Sequence, residues 1–319
     1  MGLLVNGVWC EEDTQSREAT GRYVRPGSQF RQVVTADGAS GFPAEAGRYH
    51  LYIAIGCPWA HRTWIFRKLK RLEQVISMSI VAPRRTSQGW VFDNNTPRYQ
   101  DTLLGMRYLH EIYTLAQRDY SGRATVPVLW DKQRRTIVNN ESSEIIRMFN
   151  SAFAAFTEDK TDYYPTSLRP EIDALNDLIY RTVNNGVYRS GFATTQEAYE
   201  EAVVALFATL DQLEARLATR RYLLGDRLTE ADWRLFPTLM RFDAAYHGAF
   251  KCNLRQLVDY PNLWAYTREL YQMPGIAETV DVDIYKQGYY SPSPLRNPLG
   301  IVPKGPVIDF TVPHGRSSL

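Results

Sequence analysis

The chain has 319 residues, a hydrophobic fraction of 44%, a charged fraction of 23% and a formal net charge of +2. That is enough chain for two ordinary domains with a globular composition, and it gives no electrostatic case for nucleic acid or an anionic membrane as the main partner. No basic stretch leading into an apolar run opens the chain, so no secretory signal is expected, and no run approaches the ~20 apolar residues that span a bilayer. Three cysteines, Cys10, Cys57 and Cys252, are too few for a disulfide framework. They point to a reducing, cytoplasmic setting in which one well-placed thiol is available for chemistry.

In chain order, residues 1–45 are polar and read as an extended arm with little regular structure, able to wrap the body or reach a second subunit. Tyr49 to Ile55 is β-rich and reads as a buried strand. Gly56-Cys57-Pro58 breaks it, and Pro58 suits a first helical turn. A helix is expected from Pro58 to Leu72, with Ile65, Leu69 and Leu72 inward and Arg67, Lys68, Lys70 and Arg71 largely facing solvent. Val75 to Ala82 reads as a second strand. The polar stretch Pro83 to Leu104 is long for a connection, and such loops often carry function. Gly105 to Ala116 reads as a helix, Thr125 to Trp130 and Thr136 to Val138 as two short strands, and Glu141 to Asn150 as another helix. The order β-α-β-α-β-β-α, with a helix between two parallel strands and a closing hairpin, is the thioredoxin-like arrangement.

After Asn150 the pattern changes. Residues 151–167 read as a linker, and from Arg169 to Met273 the period is helical. Its clearest stripe is Val203, Leu206, Phe207, Leu210, Leu213 and Leu217. Thr229-Glu230-Ala231-Asp232 resembles a capping box with Asp in place of Glu, and Pro237 should kink the helix that follows. The tail from Asp281 onward is rich in Pro, Gly and Tyr and is expected to pack in part on the body. The expected division is an arm (1–45), a thioredoxin-like domain (46–155), an all-α domain (165–280) and a packed tail (281–319): fold class α/β plus all-α.

Three segments carry chemistry. Cys57 sits where a strand hands over to a helix, a place where the dipole and free N–H groups hold a thiol as thiolate, the attacking species in thiol–disulfide exchange. Position 60 is Ala, so no second cysteine is there to resolve a mixed disulfide, and an external thiol must do so. Thr125-Val126-Pro127-Val128 suits a cis-proline ahead of a strand, leaving the Val126 backbone free for a peptide-like ligand. Glu141-Ser142 opens a helix, where free N–H groups bind a carboxylate and Glu141 can pair with an ammonium; an ordinary helix cap explains the same residues. His61, four residues after Cys57, could act as a base, although a buried or solvent-facing histidine accounts for it too. The five histidines show no metal-ligand spacing.

Ile55-Gly56-Cys57-Pro58-Trp59-Ala60-His61-Arg62, Val126 to Asp131, Asn139 to Ile145 and Gly300-Ile301-Val302-Pro303 together resemble the glutathionyl-hydroquinone reductases, the Xi class of the omega-like glutathione transferases. The resemblance covers about the whole chain. It implies glutathione as co-substrate, no metal, and a homodimer. Cys57 would attack the glutathione sulfur of a glutathionyl-hydroquinone. Trp90, Arg123, the Val126 backbone, Glu141 and Ser142 would hold glutathione. Tyr188, Tyr246 and Tyr289 (or its neighbour Tyr290) would line an aromatic acceptor site. An omega-like thioltransferase or dehydroascorbate reductase would use the same Cys57, and a transferase-like binding module without turnover is the alternative outside enzymes.

Overall fold

The structure, a computed structural model, describes residues 2–11 and 18–317. The chain divides into two compact units, one formed by residues 1–15 and 26–161 and the other by residues 16–25 and 162–319. The arm is therefore shared: residues 26–45 build into the first unit, while its described residues 18–25 belong to the second.

The first unit opens with a hairpin, β1 (Leu3–Val5) against β2 (Val8–Cys10). From the sequence, residues 1–45 are expected to hold little regular structure, and no strand is expected at these positions. The signal was Asn6-Gly7, whose φ values of 48° and 78° suit a tight turn that needs two positive-φ residues. A four-stranded sheet follows, from β3 (Tyr49–Ile53), β4 (Ser77–Ile80), β5 (Val128–Asp131) and β6 (Thr136–Asn139), in the order β4-β3-β5-β6. β3 runs parallel to β4 and antiparallel to β5, and β5 runs antiparallel to β6. Every residue of β3 is buried, as its place inside the sheet requires. The arm covers the β6 edge: Gln32 N–H donates to Val138 O (3.0 Å) and Asn140 N–H to Phe30 O (3.1 Å). An edge so occupied is closed to stray pairing.

α1 (Pro58–Leu69) connects β3 to β4 and packs on α3 (Ser142–Ser151); α2 (Leu109–Ala116) lies between β4 and β5 in the chain. α1 ends three residues before the expected Leu72. Arg71 takes the left-handed conformation (φ 49°) and Leu72 N–H turns back to Arg67 O (2.8 Å), which closes the helix. Leu72 remains buried, so the apolar stripe outlasts the helix. The solvated basic face also needs correction, because Arg67 and Lys70 are buried. Arg67 donates to Ile76 O (2.6 Å) and Glu73 O (3.0 Å), and Lys70 Nζ to Asp159 O (2.9 Å) and Thr161 O (2.6 Å). Both side chains cap backbone carbonyls that would otherwise be buried without donors. α2 begins at Leu109 rather than Gly105, because the Glu111 carboxylate accepts from the Tyr108 (2.7 Å) and Arg107 (2.9 Å) amides and fixes the start.

The second unit is helical: α4 (Arg169–Ile179), α5 (Gly186–Phe192), α6 (Gln196–Leu217), α7 (Glu230–Leu239), a short α8 (His247–Ala249), α9 (Pro261–Tyr271) and α10 (Val282–Tyr289). The six-residue stripe on α6 is buried throughout, each such side chain contributing about 1.5–3 kcal/mol. The capping box at α7 forms: Asp232 Oδ2 accepts from the Thr229 amide (2.8 Å), and Oδ1 from Leu223 N–H (2.9 Å) and the Tyr266 hydroxyl (2.8 Å). Two π-helical turns, Tyr180–Asn184 and Phe242–Tyr246, interrupt the α-helical run. The sequence period gave no sign of either. The tail contributes α10 and a buried Phe310 between Trp264 and Tyr271. Arg316 donates to Leu217 O, Arg220 O and Arg221 O (3.1, 2.6 and 2.8 Å), closing the carboxyl end of α6. Among the described residues no helix is long and apolar enough to cross a membrane.

Candidate active site

Cys57 is the residue immediately ahead of α1, in extended conformation (φ −85°, ψ 119°), with Pro58 in the first turn. Buried β3 fixes the approach and Pro58 makes the break. The Cys57 amide donates to Ala54 O (3.0 Å), and its carbonyl accepts from His61 N–H (3.0 Å), so its backbone is held on both sides. The thiol is half-buried and its Sγ lies 3.6 Å from Val126 O. The Val126–Pro127 bond is cis. The β3–β5 ladder begins only at Tyr52–Val128, which places Val126 ahead of it. Ala60 is fully buried. His61 is buried as well, against Trp64.

Glu141 caps α3 and Ser142 is its first residue. Glu141 Oε1 accepts from the Ser143 amide (3.1 Å) and hydroxyl (2.9 Å), and Oε2 from Ser28 (3.1 Å). Ser142 is buried, and Arg62 Nη1 reaches its Oγ (3.4 Å). Arg62 is itself buried and stacks over Trp59 (4.7 Å). It joins the amino ends of α1 and α3, a link that the sequence reading passed over although Arg62 stands in the quoted motif. Tyr113 braces the same region: its hydroxyl donates to Thr125 O (2.8 Å) and accepts from Asn140 Nδ2 (3.0 Å). Ser28 was also missed, and nothing in the polar arm marks it.

Trp90 and Arg123 stand on two loops of this unit. Trp90 is buried, with the Arg85 guanidinium 4.3 Å from its ring centre. The long insertion that carries it is gathered by Asp101, whose buried carboxylate accepts from the Leu103, Leu104 and Met106 amides (3.1, 3.2 and 3.0 Å) and the Tyr52 hydroxyl (3.2 Å). Arg123 is half-buried beside Tyr120, whose hydroxyl donates to Arg123 O (3.4 Å).

In the helical unit the three predicted tyrosines meet. The hydroxyl of Tyr289, at the end of α10, lies 2.7 Å from that of Tyr188 on α5 and 3.0 Å from that of Tyr246 in the second π-helical turn. Phe250 packs against all three rings at 5.3–5.5 Å. Burial pushes the Tyr246 and Tyr289 phenols well above their ordinary value, so both keep their protons and remain hydrogen-bond donors. Tyr290 points elsewhere, its hydroxyl packed against Gly248. Cys252 is fully buried and its thiol is pushed up to about 12 by desolvation.

Residues 56–152 match the family model of the glutathione S-transferase N-terminal domain, and residues 196–269 that of the C-terminal domain. The chain is 51% identical to the glutathionyl-hydroquinone reductase YqjG of Escherichia coli, over 99% of this chain and 98% of that one. It is 53% identical to the glutathionyl-hydroquinone reductase PcpF of Sphingobium chlorophenolicum, over 96% of each. The chain belongs to the Xi class of glutathione S-transferases. The glutathione-bound structure of YqjG superposes on this Xi-class chain with a TM-score of 0.92 over 99% of both, and a Xi-class transferase from Natrialba magadii with a TM-score of 0.93 over 100% of this chain and 97% of that one, at 47% identity.

Proposed function

We propose that this protein reduces glutathionyl-hydroquinones to hydroquinones at the expense of glutathione. The observation that carries the reading is the single thiol at the start of α1, beside the cis Val126–Pro127 bond, with a buried alanine where a resolving cysteine would stand. The names of the two relatives reported above support it. The Cys57 thiolate attacks the thioether sulfur. The bond from sulfur to the ring carbon breaks, and that carbon takes a proton. The products are a hydroquinone and a Cys57–glutathione disulfide. A second glutathione thiolate attacks this disulfide, returning Cys57 and releasing oxidised glutathione. The ring is reduced by two electrons and two glutathionyl groups are oxidised to one disulfide.

In this reading Glu141 takes the ammonium of the glutathione γ-glutamyl group, while Ser142 and the free amides of α3 take its carboxylate. The Val126 backbone pairs with the tripeptide, and Trp90 and Arg123 complete the site. Tyr188, Tyr246 and Tyr289 donate to the quinol oxygens. The protein is further proposed to work as a homodimer in the cytoplasm, with molar mass from light scattering as the test of assembly.

The deciding assay follows hydroquinone release from a glutathionyl-hydroquinone in excess glutathione. The wild type is expected to release one oxidised glutathione per hydroquinone, and Cys57→Ala neither. Folded wild type that releases no hydroquinone sinks the proposal. If it reduces dehydroascorbate instead, the omega-like reading replaces it.

A further inference from the structure

The amino-terminal hairpin touches both loops that carry Trp90 and Arg123. Along one side, Leu4 exchanges backbone hydrogen bonds with Gly122 (2.8 and 2.9 Å), Gly7 N–H donates to Tyr120 O (3.0 Å) and Asn6 N–H to Ser121 Oγ (2.8 Å). Gly122 directly precedes Arg123. Along the other, the Trp9 indole donates from Nε1 to Ser87 O (3.0 Å) and stacks on His110 (4.5 Å between centres, 16° between planes). Tyr108 covers the far face of the His110 stack (5.2 Å). A methyl group at Gly89 would sit 2.9 Å from the Trp9 ring, and Gly89 directly precedes Trp90. Gln88 closes the contact, donating to Glu11 (2.8 Å) and meeting His110 Nε2 (3.3 Å). Trp90 O in turn accepts from Leu109 N–H (3.0 Å), beside Tyr108 and His110.

From these contacts we infer that the hairpin is a clasp that fixes the separation of the Trp90 and Arg123 loops, and that Trp9 is the positioning residue through which it sets glutathione affinity. The inference rests on the reading of Trp90 and Arg123 as glutathione-holding residues. Neither Trp90 nor Arg123 lies in a helix or strand; the Trp90 loop carries only a tight turn closed between Thr86 and Gly89 (3.0 Å each way), so the placing of each loop depends on what it touches. A site held ahead of time does not spend binding energy on ordering its loops, and loops released from the clasp would have to be ordered by the ligand. Trp9 touches none of the proposed reacting atoms. Its loss should therefore act on binding rather than on the chemical step.

The experiment titrates glutathione into wild type, Trp9→Ala and Trp9→Phe by calorimetry, measures turnover at saturating glutathione, and follows amide exchange at residues 86–90 and 119–123. A stack and a hydrogen bond lost together predict glutathione binding weakened about ten-fold in Trp9→Ala, with the saturating rate within about two-fold of wild type. Exchange should quicken in both loops, and Trp9→Phe, which keeps the stack, should recover most of the affinity. Unchanged affinity in Trp9→Ala overturns the inference, as does a lost saturating rate with affinity intact. Should Trp9→Ala not fold, Trp9→Leu decides on the same readouts. Trp90→Ala and Arg123→Ala are run alongside. If they leave binding intact, the reading beneath the clasp fails; if they weaken it and Trp9→Ala does not, the clasp alone fails.

Discussion

The Tyr289 phenol stands between those of Tyr188 and Tyr246, bonded to each. Tyr289→Phe therefore breaks both links, whereas Tyr188→Phe or Tyr246→Phe breaks one. If the three donate to the quinol, Tyr289→Phe should lower kcat/KM for a glutathionyl-hydroquinone about ten-fold, and the other two by less, with glutathione affinity unchanged. Steady-state kinetics on the three variants checks the order. A second residue sets the response to acid. His50 is buried on β3 between the Ser77 (2.7 Å) and Ser79 (3.0 Å) hydroxyls, and burial, helped by Lys132 and Arg67, pushes it down to about 3. Between that value and the ordinary ~6.5 the unfolded chain binds a proton that the folded chain refuses, so stability is full above about pH 6.5 and falls as pH drops towards 3. From pH 7 to pH 5 this one group should remove about 2 kcal/mol. Urea unfolding of wild type and His50→Gln should show the shallower pH dependence in the variant; equal slopes would refute the assignment.

At the scale of elements, the start of β3 is tied to the end of β5 by Arg48 and Asp131, both buried, with Nη2 to Oδ2 at 2.6 Å and Nε to Oδ1 at 3.1 Å. The same carboxylate accepts the Gln133 (2.9 Å) and Arg134 (3.2 Å) amides and so closes the β5–β6 turn. Arg48→Met would leave that carboxylate buried without its counter-ion and should cost about 3 kcal/mol or more in urea unfolding. The strand, Cys57-Pro58 turn and α1 were legible because an apolar run, a breaker and a helical stripe follow one another within a few residues. The α6 stripe and the Thr229–Asp232 cap were legible for the same local reason. Arg67 and Lys70 were misread because periodicity scores charge as outward and does not see carbonyls waiting for a donor. The hairpin escaped notice although apolar runs, Leu3–Val5 and Val8–Cys10, flank its Asn6-Gly7 turn, because the polar stretch from Glu11 onward sets the character of residues 1–45 as a whole. Cys57, Glu141 and Ser142 could be singled out from their helix starts, but the tyrosine chain joins residues 101 and 43 positions apart. Only the family resemblance brought those three together in advance.

For the whole molecule, each unit carries its own core, and each is fastened by chain that looks like trimming in the sequence. In the helical unit the fastening is Arg316. It is buried, bonded to the carbonyl of the last residue of α6 and to two carbonyls just beyond it, and 3.4 Å from the buried Glu269. Arg316→Ala uncovers those carbonyls and strips a partner from Glu269. The expected cost is about 3 kcal/mol, read as a lower melting temperature of the full-length protein. A melting temperature unchanged from wild type would mean that the tail merely lies on the surface.

Cys252 turns the molecule into its own gauge of opening. Its sulfur is sealed within the helical unit near Val187 O (4.0 Å) and Phe250 O (3.8 Å), so no reagent meets it while that core is shut. In a protein stripped of Cys10 and Cys57, the rate at which a thiol dye attaches would count the excursions of the helical unit alone, without a label ever having been engineered into it.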